Sequence, residues 1–118
     1  MEAVPVTYQL FIRVDAPLTV QVGRLGRFHF PAGEYVYTGS AKRGLNARIL
    51  RHRKKRKPKR WHIDYLTTAP GVSITHVSQS AAPECELNAR THGTIPAPGF
   101  GASDCKAGCG SHLKLLGL

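Results

Sequence analysis

The sequence predicts a compact α/β (α+β) domain in which a small, mainly antiparallel sheet is flanked by helices and carries an added β-hairpin. Segments typical of strands alternate along the chain with segments typical of helices. A length of 118 residues suits one domain with a modest core. Hydrophobic residues make up 42% of the chain and charged residues 20%, a balance typical of folded chains. We therefore expect residues 1–118 to form a single domain.

The strands are predicted from runs rich in β-branched and aromatic residues. Gly23 and Gly26 mark the corner of a short hairpin, because glycine is favoured where the chain turns sharply. The predicted strands cover residues 7–14, 18–23, 26–33, 34–40, 72–78 and 112–118, of which the second and third form the hairpin.

Helical segments are predicted at three places. In the first, Arg48 and His52 stand four residues apart and therefore share one face. In the third, Pro83 near the first turn and the acidic Glu84 and Glu86 favour a helix N-terminus. The predicted helices cover residues 45–53, 60–69 and 83–92.

Charge and cysteine count indicate the kind of partner and the compartment. The formal net charge is +10, which favours a phosphate-rich partner. We read no signal peptide at the N-terminus, and no apolar run approaches the roughly 18–20 residues that a membrane span requires. Three cysteines, an odd number, argue against a disulfide framework. We expect a cytoplasmic protein with reduced thiols and no place in a membrane.

A basic segment spans residues 51–60 (RHRKKRKPKR), where eight of ten side chains are Lys or Arg. These cations repel one another unless a partner neutralises them, and duplex nucleic acid carries about one negative charge per 1.7 Å of axis. We expect the segment to bind the nucleic-acid backbone, with a log–log salt slope of about −7 at full engagement. A solvated face or a nuclear-localisation signal would look similar. The eight cations are Arg51, Arg53, Lys54, Lys55, Arg56, Lys57, Lys59 and Arg60.

Residues 37–52 (YTGSAKRGLNARILRH) resemble the second half of the signature of the GIY-YIG endonuclease superfamily. In that superfamily a strand ending in Tyr-Ile-Gly leads to a helix that carries a Leu, an Arg and often a His. Here residues 37–39 (YTG) look like the Tyr-Ile-Gly element. Leu45, Arg48 and His52 then stand where the superfamily's helix has its Leu, Arg and His. The chain resembles a compact, little-characterised branch of the superfamily.

Two further elements carry the resemblance outside that stretch. Tyr8 in VTYQLF stands in the tyrosine position of the first half of the signature, with Val6 and Thr7 in place of Gly-Ile. Glu84, followed three residues later by a leucine, resembles the superfamily's metal-binding glutamate, with Glu86 as the alternative. The asparagine that usually closes the site has no clear match, and Ser103 and Asp104 occupy its place.

The resemblance implies a small three-stranded central sheet with the hairpin inserted, and a metal-dependent endonuclease that hydrolyses phosphodiester bonds by water attack. Tyr8 and Tyr37 would lie at the hydrolytic centre, one of them as general base. Arg48 would stabilise the transition state and His52 would assist. Glu84 would hold Mg²⁺ or Mn²⁺. The partner would be nucleic acid, DNA rather than RNA, with a protein partner possible for targeting.

The residue types suit that chemistry. Only seven acidic residues are present, which favours one metal ion held by one or two carboxylates over a two-metal cluster. An arginine can donate two parallel hydrogen bonds to a phosphate. A tyrosine of pKa about 10 becomes a base only where nearby cations lower that pKa. Tyr37 is favoured over Tyr35 because it directly precedes Thr-Gly.

Two other functions are left open by the sequence. The first is a non-catalytic nucleic-acid-binding module on the same fold, in which the tyrosines only pack. The second is a basic interaction protein of the ribosome or of a repair complex. A carboxylate that faces the polyanion distinguishes them from a nuclease, since a pure binding protein has no use for one.

Two polar motifs are predicted to be structural. For His62 and Asp64 in WHIDYL, packing or helix capping is favoured over substrate contact. Cys105, Cys109 and His112, with Cys85 or His92 as a fourth ligand, raise the question of zinc. Because zinc motifs usually contain a second closely spaced pair, a loop with incidental thiols is favoured over structural zinc.

Overall fold

A computed structural model describes residues 5–41, 43–101 and 109–117. It contains every strand and helix that the sequence predicts, so the predicted α+β class is confirmed. In chain order the elements are β1 (Thr7–Val14), β2 (Leu18–Val22), β3 (Gly26–Phe30), β4 (Gly33–Ser40), α1 (Leu45–Arg53), α2 (His62–Thr67), β5 (Val72–Ser80), α3 (Glu84–Arg90) and β6 (Leu113–Gly117).

The central sheet has four strands in the order β5-β1-β4-β6, and all neighbouring pairs are antiparallel. The expected count of three strands was therefore wrong by one. The extra strand is β6, which pairs with β4 from Glu34 to Tyr37. This pairing joins segments far apart in sequence, and local patterns do not report such contacts. Strands β2 and β3 form the predicted hairpin as a separate two-stranded sheet.

The core lies between the central sheet, the hairpin and helix α2. Strand β1 supplies Leu10 and Ile12 at alternate positions, as expected for a strand with one buried face. Helix α2 supplies Ile63 and Leu66, both fully buried. Phe30 of the hairpin packs edge-on against Phe100, so the hairpin and the chain ahead of β6 share this core. Among the described residues, no helix has the length and apolar character needed to cross a membrane.

Candidate active site

A cleft of about 280 Å³ lies where β1 and β4 pair through Tyr8 and Gly39. Four of the five residues predicted to act in catalysis or metal binding line it: Tyr8, Tyr37, Arg48 and Glu84. They come from β1, β4, α1 and the start of α3, so the fold brings together groups up to 76 positions apart. The remaining lining residues are Gly39, Ser40, Arg60, Trp61, His62 and Gly101.

His52, the fifth predicted residue, lies behind Tyr8 and does not line this cleft. Its side chain is buried, and its Nε2 lies 2.7 Å from the hydroxyl oxygen of Tyr8. Burial, followed by the charge of Lys57, lowers the pKa of His52 to about 4. The imidazole is therefore neutral at pH 7. It carries no positive charge to offer a phosphate, and its ring contacts three residues that line the cleft: Tyr8, Tyr37 and Trp61.

The proton on neutral His52 can be assigned from its partners. Nδ1 has no hydrogen-bond partner among the described residues. A buried N–H without a partner is rarer in proteins than a buried acceptor without one. We therefore assign the proton to Nε2, which donates to the oxygen of Tyr8. This bond favours the deprotonated form of the phenol.

The pKa values of the two tyrosines are raised, whereas a general base needs nearby cations to lower its pKa. Burial raises the pKa of both Tyr8 and Tyr37 above the ordinary value of 10, and the charge of Glu84 raises them further. Arg48 lowers both, as expected, but its effect is smaller than that of burial. Neutralising the charge of Glu84 would remove one contribution to both shifts. Tyr35 is buried away from the cleft and donates its hydroxyl proton to the Pro31 carbonyl.

Gly39 leaves the space that Tyr8 occupies. A methyl group at Gly39 would come within 2.5 Å of the Tyr8 hydroxyl oxygen and 2.6 Å of the adjoining ring carbon. We expect Gly39→Ala to displace the phenol, to abolish most of the cleavage that the GIY-YIG resemblance implies and to lower the free energy of unfolding by about 1–3 kcal/mol. Denaturant unfolding and a cleavage assay would measure both effects. Gly117→Ala is the control, since a methyl group there contacts nothing within 4 Å. Equal behaviour of the two variants would contradict this account of the cleft.

Arg48 is held in the cleft wall by two contacts. One terminal nitrogen donates to the Ser40 carbonyl at 2.7 Å. The guanidinium also lies 4.8 Å from the centre of the Trp61 ring. A guanidinium has five N–H donors, so most of them are left for an anionic ligand. The position of the side chain is thus fixed before any substrate binds.

Trp61 is the site residue whose role the sequence did not indicate. The guanidinium carbons of Arg48, Arg51 and Arg60 lie 4.8, 4.5 and 5.5 Å from its ring centre. Cations over an indole face are stabilised by its quadrupole. Its signal in the sequence was weak: the single tryptophan of the chain directly follows the basic segment. Trp61 therefore contacts three cations, of which Arg48 and Arg60 line the cleft.

The two candidate metal-binding glutamates are distinguished by position. Glu84 lines the cleft, and its Oε2 lies 3.4 Å from Nδ1 of His112. Glu86 instead forms an ion pair with Arg90 on the exposed side of α3. Of the residues that line the cleft, Glu84 is the one with a carboxylate. A single carboxylate beside waters and phosphate oxygens suits Mg²⁺ or Mn²⁺.

Three cations of the basic segment are hydrogen-bonded within the fold and are not available to a partner. Arg51 donates two hydrogen bonds of 3.1 Å to the buried carboxylate of Asp64. Lys57 donates to the Arg51 and His52 carbonyls at the end of α1, and its Nζ lies 3.7 Å from Asp64. Lys55 donates to three carbonyls at and beyond the end of α2. These three cations satisfy helix ends and a buried anion, so they belong to the fold.

Asp64 is the centre of that arrangement. Besides Arg51 and Lys57, its carboxylate accepts the backbone N–H groups of Arg60 and Trp61 at 2.8 and 3.0 Å. The expected capping role is therefore observed. His62 lines the cleft and caps no helix, since its Nδ1 accepts the N–H of Gly101, a turn residue, at 2.9 Å.

The salt dependence of nucleic-acid binding should reflect this division. Five exposed cations of the segment make none of these contacts to carbonyl groups or to Asp64, so we expect a log–log slope of about −4.5 and not the −7 of full engagement. Replacing Lys54 and Arg56 together by alanine should reduce the slope by about 2. Fluorescence anisotropy over a salt series measures it. These five cations are Arg53, Lys54, Arg56, Lys59 and Arg60.

Lys55→Ala is the control for the reduced salt slope predicted for the Lys54 and Arg56 double substitution. It should leave the salt slope nearly unchanged and lower the free energy of unfolding by about 1–3 kcal/mol, because three carbonyl groups lose their donor, two of them in partly buried hydrogen bonds. A slope that falls by one for Lys55→Ala with no loss of stability would contradict the structural role of this lysine.

A family model described as a domain of unknown function, DUF123, matches residues 7–117. The chain belongs to the DUF123 family. The match runs from β1 to the end of β6 and includes every residue of the cleft. No curated protein and no solved structure matched the chain.

Three cysteine and histidine residues of the DUF123 chain meet beside the cleft, and they differ in part from the expected set. Cys85, Cys109 and His112 have ligand atoms within 4.8 Å of one another. His92 is exposed and is not among them. Cys105, like Ser103 and Asp104, lies outside the described residues.

Proposed function

We propose that this DUF123 protein is a metal-dependent endonuclease that hydrolyses nucleic-acid phosphodiester bonds. The observation that carries the proposal is the convergence of two phenol hydroxyls, two guanidinium groups and one carboxylate on a single cleft. The resemblance of residues 37–52 and of Tyr8 to the GIY-YIG signature supports it. The same residues that carry the resemblance line the cleft or, for His52, contact a residue that does.

Glu84 is the proposed ligand of Mg²⁺ or Mn²⁺. Its side chain is 29% exposed, which leaves room for a hydrated ion. Such an ion supplies charge neutralisation and a more acidic water. A purely binding surface gains nothing from a carboxylate that repels phosphate, so the presence of Glu84 in this cleft favours catalysis.

Tyr8 is the proposed general base. In its deprotonated form, stabilised by the N–H of His52, the phenolate accepts the proton of a water molecule. The water oxygen then bonds to phosphorus, the bond to the leaving oxygen breaks, and that oxygen takes up a proton from solvent. Tyr37, whose ring centre lies 6.4 Å from that of Tyr8, donates its hydroxyl proton to the water or to a phosphate oxygen.

Arg48 is the proposed stabiliser of the transition state. Charge accumulates on the non-bridging phosphate oxygens as the water attacks, and a guanidinium fixed beforehand stabilises it without reorganisation. The contacts to Ser40 and Trp61 provide that fixation. Arg60, on the same indole ring, extends the positive surface towards the exposed cations of the basic segment.

The proposed partner is nucleic acid, with DNA favoured over RNA, and the exposed cations would contact its phosphates. Backbone contacts of this kind carry no sequence information. Selection of a target would therefore fall to a protein partner or to the shape of the substrate. A reducing cytoplasm is the compartment that the odd number of cysteines favours.

A non-catalytic nucleic-acid-binding module is the second candidate. The raised pKa of both tyrosines favours this module, because it keeps both phenols protonated at pH 7 and a protonated phenol cannot act as a base. In that case the cleft would only hold a phosphate, and Arg48 would serve as its ligand.

The two candidates are separated by one assay on the full chain. End-labelled single-stranded, duplex and branched DNA, and matched RNA, are incubated with Mg²⁺, Mn²⁺ or EDTA. A nuclease gives cuts that require the metal and become faster as the pH rises, since the base has a high pKa. Binding to every substrate with no cuts under any metal would establish the binding module instead.

A further inference from the structure

Cys85, Cys109 and His112 form a cluster of metal-binding groups next to the cleft. Their ligand atoms lie within 4.8 Å of one another although the residues come from three places: the first turn of α3, the chain ahead of β6 and the residue before β6. In a tetrahedral zinc site, bonds of about 2.3 Å to sulfur and 2.1 Å to nitrogen place ligand atoms roughly 3.6–3.8 Å apart. Shifts of about 1 Å therefore bring all three groups onto one ion.

The orientation of His112 is the second observation. Its Nε2 faces Sγ of Cys85 at 3.9 Å, and its Nδ1 faces Oε2 of Glu84 at 3.4 Å. Histidines that bind metals through one nitrogen usually present the other to a carboxylate or carbonyl. The two ring nitrogens of His112 thus face one thiol and one carboxylate, as in a metal-bound imidazole with its outer partner.

His112 is also held firmly in this orientation. Its side chain is buried, and its backbone bonds to Phe100 at 2.8 Å and to Thr38 of β4 at 2.9 Å. A buried imidazole with its nitrogens directed at a thiol and a carboxylate is poorly explained as packing alone, because apolar residues fill cores at lower cost.

We propose that Cys85, Cys109 and His112 bind Zn²⁺, with Glu84 as the outer partner of His112. Two thiolates and an imidazole favour zinc over Mg²⁺ or Mn²⁺, which take oxygen ligands. Three protein ligands leave one position of the tetrahedron for a fourth ligand. The sequence favoured incidental thiols because zinc motifs usually contain a second closely spaced pair. The fold instead brings Cys85 to Cys109 and His112 from 24 or more positions away.

The zinc site has a structural consequence for the cleft. It ties the first turn of α3 to the chain ahead of β6, and Cys85 directly follows Glu84. The ion therefore fixes the carboxylate at the cleft wall from behind. This zinc is distinct from the proposed Mg²⁺ or Mn²⁺, and its existence does not depend on nuclease activity.

The test is metal binding by the full chain under reducing conditions. We expect wild-type protein to retain about one zinc per chain after dialysis, measured by elemental analysis, because two thiolates and an imidazole bind zinc tightly. Replacement by Co²⁺ should give the intense visible bands of a tetrahedral site and a thiolate charge-transfer band. Competition with a chelator then gives the affinity of each variant.

The variants are expected to differ in zinc affinity. Cys109→Ser should weaken zinc binding by more than about 100-fold, and Glu84→Gln by about 10–100-fold as the loss of an outer partner. Cys85→His, which keeps a ligand, should retain more affinity than Cys85→Ser. His92→Ala is the control and should not change it.

Three results would overturn the proposal. They are no uptake of zinc by reduced wild-type protein, a cobalt spectrum without thiolate charge transfer, and zinc affinity that survives both Cys85→Ser and Cys109→Ser. The spectrum of the wild-type protein decides the matter even if a variant fails to fold.

Discussion

Arg48→Ala is expected to lower the cleavage rate by about 10³-fold while nucleic-acid binding weakens far less. Removing one fixed donor to a developing anion typically costs 10²–10³-fold, and catalytic arginines at phosphoryl groups reach about 10³–10⁵-fold. Arg48 would meet a polyanion together with the five cations of the basic segment that face solvent, so its share of the binding energy is small. Single-turnover cleavage with excess protein separates the two effects.

The controls for Arg48 are chosen for charge and for shape. Arg53→Ala removes an exposed cation from the same helix and should alter binding but not the rate of the bound complex. Arg48→Lys keeps the charge but loses the planar pair of donors, so it should remain strongly impaired. Full activity of Arg48→Lys would show that the site needs only a point charge at this position.

Asp64→Ala is expected to lower the free energy of unfolding by about 3–5 kcal/mol, the typical effect of removing one partner of a buried ion pair. The carboxylate is fully buried, and its loss would leave Arg51, Lys57 and two backbone N–H groups without their acceptor. Denaturant unfolding followed by circular dichroism measures this effect. Asp15→Ala is the control, because the Arg13–Asp15 ion pair is exposed and should contribute less than about 1 kcal/mol.

The same carboxylate predicts how stability depends on pH. Burial raises the pKa of Asp64, but the Arg51 hydrogen bonds and the two backbone N–H groups lower it more, so it lies below the ordinary 3.8. A lowered pKa in the folded state means that the contribution is present above about pH 4 and is lost as the pH falls through the folded pKa. In Asp64→Asn, the free energy of unfolding should fall less steeply as the pH drops below about 4. The same pH dependence in Asp64→Asn and wild-type protein would contradict the assignment of this stability to the Asp64 carboxylate.

The elements of this fold were predictable because their signals are local. Runs rich in β-branched and aromatic residues marked strands such as β1, Gly23 and Gly26 marked the hairpin corner, and Pro83 marked the start of α3. The resemblance added the expectation that Tyr8 and Tyr37 lie at one site, and their ring centres are 6.4 Å apart. Every predicted strand and helix is present within a few residues of its expected bounds.

The features that were missed depend on contacts between distant segments. Arg51, Lys55 and Lys57 look like free cations in the sequence, but the fold directs them to Asp64 and to helix ends. Burial turned His52 from a possible phosphate ligand into a neutral partner of Tyr8. Charge patterns show how many cations a segment has, and only the fold shows which of them face solvent.

The central claim is most directly tested by comparing Glu84→Gln with Glu86→Gln in a Mg²⁺-dependent cleavage assay, with equal zinc content in both proteins. Both substitutions remove one negative charge from α3, but only Glu84 lines the cleft. We predict that Glu84→Gln binds nucleic acid at least as tightly as the wild-type protein and does not cut it, whereas Glu86→Gln cuts normally. Cleavage by Glu84→Gln at the wild-type rate would contradict the proposed site.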